Sequence, residues 1–140
     1  MKLKNIIPIS LLSIGTLGLP QPSPSEEKIE VIPIIQSSKG LSGKNFNYLK
    51  GKPELRLLKV KIPVGLKTPI HTHPSPMLIH VTRGRLKHVR GEEINFFKGG
   101  DAFIESNKGG AHYGKNVGKK PAILHVGGVS VVGMPTAINK

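Results

Sequence analysis

Cysteine is absent from all 140 residues. That excludes disulfides, thiolate zinc sites and cysteine nucleophiles together, and leaves the compartment open. Tryptophan is missing as well. The two Tyr and four Phe do not alternate with basic residues as a base-stacking platform would require, and there is no basic helix, so nucleic acid is not expected as a partner. Acidic residues are few: eight Asp and Glu stand against 21 Lys and Arg, a formal charge of +13. Either scattered lysines keep a small surface soluble, or the field draws an anionic partner such as a carboxylate metabolite, an acidic glycan or a lipid headgroup. Long apolar runs are also lacking. The one continuous stretch, residues 6–19, is shorter than the ~20 residues of a membrane-spanning helix. It follows Met1-Lys2-Leu3-Lys4, and a charged start plus a short apolar run is the pattern of a secretory signal peptide. The chain is therefore expected to be exported, periplasmic or extracellular, with no transmembrane span once processed.

Beyond the first 20 positions no apolar residues recur at helical spacing. Seventeen Gly and twelve Pro break the rest into short Val- and Ile-rich runs, which is how an all-β sandwich or barrel reads. Three segments are expected: a signal peptide at 1–19, a Pro/Ser linker at 20–27 and one domain at 28–138. Strands are expected at 28–35, 54–62, 69–73, 77–82, 85–90, 93–97, 102–105, 122–126 and 129–132, mostly separated by Gly or Pro. In 54–62 the apolar positions change parity after Leu58, which predicts a bulge or a strand covered on both faces. Short strands at regular spacing favour an antiparallel sandwich over βαβ units.

The chemistry gathers on histidine. His71-Thr72-His73 places two imidazoles on one face of an extended strand, since side chains alternate with period 2. His112 can close a three-nitrogen metal site from a distant strand. For each histidine alone, a structural or exposed role is the simpler reading; the three together point to metal.

The run Gly65, His71, His73, Met77, Gly84 resembles the first motif of the cupin family at every position but one. Gly100-Asp101, Gly109-Gly110, His112 and Asn116 resemble the second, with Ser106-Asn107-Lys108 in place of the usual Pro-x-Gly turn and one extra residue before His112. The resemblance spans nearly all of the chain after the linker. It implies an antiparallel jelly-roll β-barrel (a double-stranded β-helix), a divalent metal (Fe, Mn, Ni, Zn or Cu) on His71, His73 and His112, and a homodimer. Where the family carries a metal-binding Glu, this chain has Met77. Met77 is either packing that fills the carboxylate's space or a possible fourth ligand, and a soft thioether beside three imidazoles favours copper. Without the Glu, the three-His arrangement resembles that of the thiol dioxygenases.

Strand alternation from Gly84 puts Leu86, His88 and Arg90 on the barrel side, making His88 and Arg90 candidates for the shell around the metal or for substrate contact. Alternation also turns His80 and His125 outward. Glu105 could orient a metal-ligating His, although a strand-end charge in water is the simpler expectation. Asp101 and Asn116 are expected to brace turns. No residue reads as a convincing general base. The leading function is binding of a divalent metal and a small anionic ligand, extending to oxygenase-type chemistry. The alternatives are a periplasmic copper-binding protein using Met77, and a metal-free ligand-binding cupin.

Overall fold

A computed structural model describes residues 28–140; the expected signal peptide and linker lie outside the described residues. The chain divides into two units, Met1–Val31 and Ile32–Lys140. Of the first, only residues 28–31 are described, and they form no strand. The second unit holds nine strands: β1 (Pro53–Ile62), β2 (His71–Thr72), β3 (Met77–Arg83), β4 (Arg85–Arg90), β5 (Glu93–Lys98), β6 (Ala102–Glu105), β7 (Tyr113–Asn116), β8 (Ala122–Val131) and β9 (Ile138–Asn139). There is no helix among the described residues, so none is long and apolar enough to cross a membrane.

The strands form a four-stranded sheet in the order β1-β8-β3-β6, a three-stranded sheet in the order β5-β4-β7, and a two-stranded ribbon of β2 and β9. Every pairing is antiparallel. Alternation builds the core. Met77, Ile79 and Val81 of β3, Ala122, Leu124 and Val126 of β8, Ile62 of β1 and Phe103 of β6 all point inward from the larger sheet. Leu86 of β4 meets them from the smaller sheet, and Phe97 of β5 stacks on Phe103 with ring centroids 4.2 Å apart. The chain is an all-β antiparallel jelly roll, with its two sheets facing each other across one core rather than joined in a continuous ladder.

Two glycines act where only glycine fits. Gly84, between β3 and β4, has φ +92°, and a Cβ there would come within 2.7 Å of the Ala122 Cα. Gly91 has φ +55° and opens the two-residue hairpin closed by the Arg90–Glu93 pair, a position that demands a residue free of left-handed strain.

Several strand expectations need correction: the strand expected at 69–73 shortens to His71–Thr72, β7 and β9 lie outside every expected strand, and three further differences concern 28–35, β8 and β1. Residues 28–35 form no strand; Pro33 interrupts the run without an N–H to donate, and Ile29, Val31, Ile32 and Ile34 stay exposed. The separate strands at 122–126 and 129–132 are one continuous β8. Gly127 and Gly128 do not break it, because both have partners on β1 and β3. Strand β1 carries no bulge: its register against β8 is unbroken from Pro53 to Ile62. Nor is it covered on both faces. Leu55 and Leu57 point outward and are 81% and 77% exposed. The register shift falls instead between Val81 and Arg83 on β3.

Candidate metal centre and cavity

Backbone pairing brings the three histidines together. His71 and His112 form an antiparallel bridge and exchange both backbone hydrogen bonds, at 3.0 and 2.9 Å. Such a pair projects its two side chains to the same side. His73 lies two residues beyond His71, and Pro74 behind it disfavours helical backbone, so the period-2 facing is kept. The rings converge, with centroids 4.8 Å apart for His71–His73, 4.6 Å for His71–His112 and 5.2 Å for His73–His112. One ligating nitrogen from each lies within 4.8 Å of the others.

Each ring is held the same way. Nδ1 of His71 lies 2.8 Å from the Pro69 carbonyl, Nδ1 of His73 lies 2.8 Å from the Thr136 carbonyl, and Nδ1 of His112 lies 3.0 Å from the Gly110 carbonyl. A carbonyl only accepts, so every Nδ1 must carry the proton. All three Nε2 lone pairs are thereby left to bind a cation, which is how proteins preset imidazoles for metal. The site's protonation favours this further. Burial pushes the His112 imidazolium down to about 4, and burial also lowers His73, against the Thr136 hydrogen bond that raises it. Neutral imidazole is the ligand form, so the donor set fits a divalent metal.

Met77 faces inward and is buried. Its Sδ and Cε fill the space where a Cβ on Gly128 would lie, at 2.9 Å, and it does not line the cavity bordered by the three histidines. Glu105, its direct partner across the β3–β6 pair, also faces inward. The expectation of a water-exposed strand end is overturned: Glu105 is 1% exposed. Arg90 Nη2 donates to its Oε2, and that oxygen lies 3.9 Å from His112 Nδ1. Its Oε1 lies 2.7 Å from His88 Nε2, off the N–H axis, so the approach is close without being an aligned hydrogen bond. Burial pushes the Glu105 carboxyl up, but His88, His112 and Arg90 outweigh it and hold the group below the ordinary carboxylate range. Parity explains the burial, since Phe103 and Glu105 share the inward face of β6; the Arg90 partner offsets the cost of burying the charge.

His88 is buried beside His112, ring centroids 5.0 Å apart, with its ring edge-on to Phe103. His80 and His125 pair across β3 and β8 and stay off the cavity wall. Asp101 accepts from the Lys98 backbone N–H at 2.7 Å. Asn116 braces its loop by accepting from Gly118 and donating to the Ile62 and Lys120 carbonyls. The cavity has a volume of about 250 Å³, and its wall runs from the histidines into Leu58, Val60, Ile79, Phe103, Leu124 and Val126. No Lys or Arg lines it; Arg90 is occupied by Glu105 and by Glu93, 3.4 Å away. Sequence reasoning missed the three backbone carbonyls that orient the rings, and Thr136 in particular lies 63 residues from His73. It also missed the pairing of Glu105 with Arg90, for which the parity of β6 is the only available signal.

Among solved structures, the DMSP lyase DddQ from Ruegeria pomeroyi DSS-3 superposes with a TM-score of 0.51 at 18% identity, over 61% of this chain and 43% of that one. The structure described as DMSP lyases RdDddP and RnDddQII gives 0.50 at 18% identity, over 61% and 44%. The Cnp3 cupin domain of Schizosaccharomyces pombe gives 0.49 at 22% identity, over 61% and 60%. The fold is that of the cupins. The cupin-like part of this chain spans less than half of each lyase chain. No family model matches the sequence, and no curated protein matches it.

Proposed function

We propose that this protein is an exported cupin that binds one divalent metal on the Nε2 atoms of His71, His73 and His112 and holds a small ligand in the adjoining cavity. The observation that carries this reading is the common tautomer: three backbone carbonyls take the three Nδ1 protons and free three converging lone pairs. Three neutral imidazoles leave the charge of the metal uncancelled and coordination positions open towards the cavity, where the metal would act as a Lewis acid on a bound oxygen. Imidazole donors suit zinc, copper, iron and nickel. The packing of Met77 against Gly128 supports its role as a filler rather than a fourth ligand. Export rests on the charged start and short apolar run of residues 1–19.

Equilibrium dialysis against zinc, nickel, manganese, ferrous iron and copper, followed by elemental analysis, tests the metal. One equivalent of at least one metal is expected in the native protein, lost in His71→Ala and in His112→Ala while the β-sheet circular dichroism persists. A native protein that retains none of the five would overturn the reading.

A further inference from the structure

The positive charge of the chain does not serve the cavity, whose wall holds no Lys or Arg. Part of it collects on the outer face of the smaller sheet. Leu86, Phe97 and Asn116 face inward, so alternation turns Arg85 and Lys87 of β4, Phe96 and Lys98 of β5 and Lys115 of β7 outward. No Asp or Glu takes an outward position on these three strands. Three of the cations stand in register. Lys115 lies directly opposite Lys87, and on its other side it bridges Lys67. Thr68 N–H donates to the Gly114 carbonyl and Asn116 N–H to the Leu66 carbonyl, both at 2.9 Å. Those flanking bonds make Lys67 and Lys115 a non-hydrogen-bonded pair, the arrangement that brings cross-strand side chains closest. Lys87 in turn faces Phe96, which is 67% exposed. Lys67, Lys115, Lys87 and Phe96 therefore form one line across the sheet, in steps of about 4.8 Å.

Like charges directly opposite one another destabilise a sheet. No acidic side chain offsets that cost: among the described residues no ion pair engages Lys67, Lys87 or Lys115. Lys67 leans over the Tyr113 ring, its Nζ 4.8 Å from the centroid, which still leaves Lys115 and Lys87 opposed. A local rule broken without compensation is expected at a functional position. The line is one side chain wide, which fits a chain of anions better than a plane of them. The next row, Tyr113, Val89 and Ile94, borders it with largely apolar surface. A sugar ring has matching parts, charged substituents at its edge and C–H groups on its faces. A nucleic-acid strand would need a run of exposed rings to stack on, and among the described residues of this face only Phe96 offers one.

We infer that the outer face of the β5-β4-β7 sheet binds an extended acidic polysaccharide, whose carboxylates or sulfates pair with Lys67, Lys115 and Lys87 while one sugar ring lies on Phe96. The anionic partner that the charge of the chain suggests is thus placed on this face and not in the cavity. The inference depends neither on the metal nor on the cavity ligand.

Calorimetric titration of the full chain with heparin, polygalacturonate and uncharged dextran, repeated over a salt series, tests this. Heparin and polygalacturonate are expected to bind, and dextran is not. Lys87→Gln combined with Lys115→Gln should lower the slope of log affinity against log salt by about two, near one per lysine. Lys59→Gln combined with Lys61→Gln removes the same charge from the outer face of the larger sheet and should leave the slope nearly unchanged. Phe96→Ser should weaken binding and keep the slope. Without polymer, Lys115→Gln should raise the urea midpoint, because it removes a repulsion; a lysine with a purely structural role would lower it when lost. Failure of both acidic polymers to bind, equal slope changes in the two double variants, native affinity in Phe96→Ser, or a lowered midpoint in Lys115→Gln would each overturn the inference. So would tighter binding of oligo-dT or of phosphatidylglycerol vesicles than of either polysaccharide, which would assign the face to another class of partner.

Discussion

Met77 on β3 and Glu105 on β6 are direct cross-strand partners, both buried and both facing inward. A thioether therefore occupies the strand position where the cupin resemblance leads one to look for a carboxylate, and a carboxylate stands one strand over. It does not simply replace the missing ligand: its oxygens are engaged by Arg90 and crowded by His88, and it approaches His112 from the Nδ1 side.

Removing the Glu105 charge leaves the largely buried Arg90 guanidinium with only the longer, 3.4 Å contact to Glu93. Glu105→Gln is expected to destabilise the fold by about 3–5 kcal/mol, the usual cost of breaking a buried pair from one side. Adding Arg90→Met should recover part of that loss. Chemical denaturation of the two variants checks this, and additive losses would contradict it.

The Met77 side chain is a packing element against Gly128. Gly128→Ala should push the flexible thioether aside at a cost of about 1–2 kcal/mol, in the range for modest overpacking, while metal stoichiometry stays unchanged. If Gly128→Ala or Met77→Leu alters the number of copper ions bound, sulfur coordination is restored as the better account.

Stability of the metal-free protein should fall on acidification. His112 is held down to about 4 by burial, below its unfolded value near 6.5, and His73 is lowered in the same direction. Between those two values the unfolded chain binds more protons than the folded one, so stability is complete above about pH 6.5 and declines towards pH 4. Thermal melts across that range should show the decline in the native protein and a flatter profile in His112→Gln. Glu105 acts in the same sense lower on the scale: its folded value is depressed, so its contribution is present above about pH 4.3 and fades below it.

We propose that the homodimer implied by the cupin resemblance, if it forms, uses the outer face of the larger sheet. Leu57, Gly127, Leu78 and Ile104 form one row across β1, β8, β3 and β6, and Leu55 pairs with Val129 in a neighbouring one. Leu55, Leu57, Leu78 and Val129 are all exposed in the single chain, a contiguous apolar surface of the kind that marks an interaction site. Light scattering should give a dimer for the native protein and a monomer for Leu57→Lys. A monomeric native protein would rule the interface out.

Much of the site could be read in advance because its logic is local. Period-2 alternation alone faces His71 with His73, sends His80 and His125 away from the cavity, and aligns His88 with Leu86. Glycine and proline placed most strand ends for the same reason, since a positive φ or a missing N–H acts on its own residue. The continuity of β8 was not legible, because glycines that ordinarily punctuate a chain are retained in a strand with partners on both sides.

By itself the sequence determined an all-β chain and the candidate ligands on His71, His73 and His112, because backbone geometry dictates alternation residue by residue. Only the tertiary structure decided that three distant carbonyls share one tautomeric task and that Glu105 is buried against Arg90 and His88. It likewise decided that the space before the histidines is walled by aliphatic side chains. Those are contacts between strands far apart in the chain, and their distances exist only once both sheets have closed on the same core.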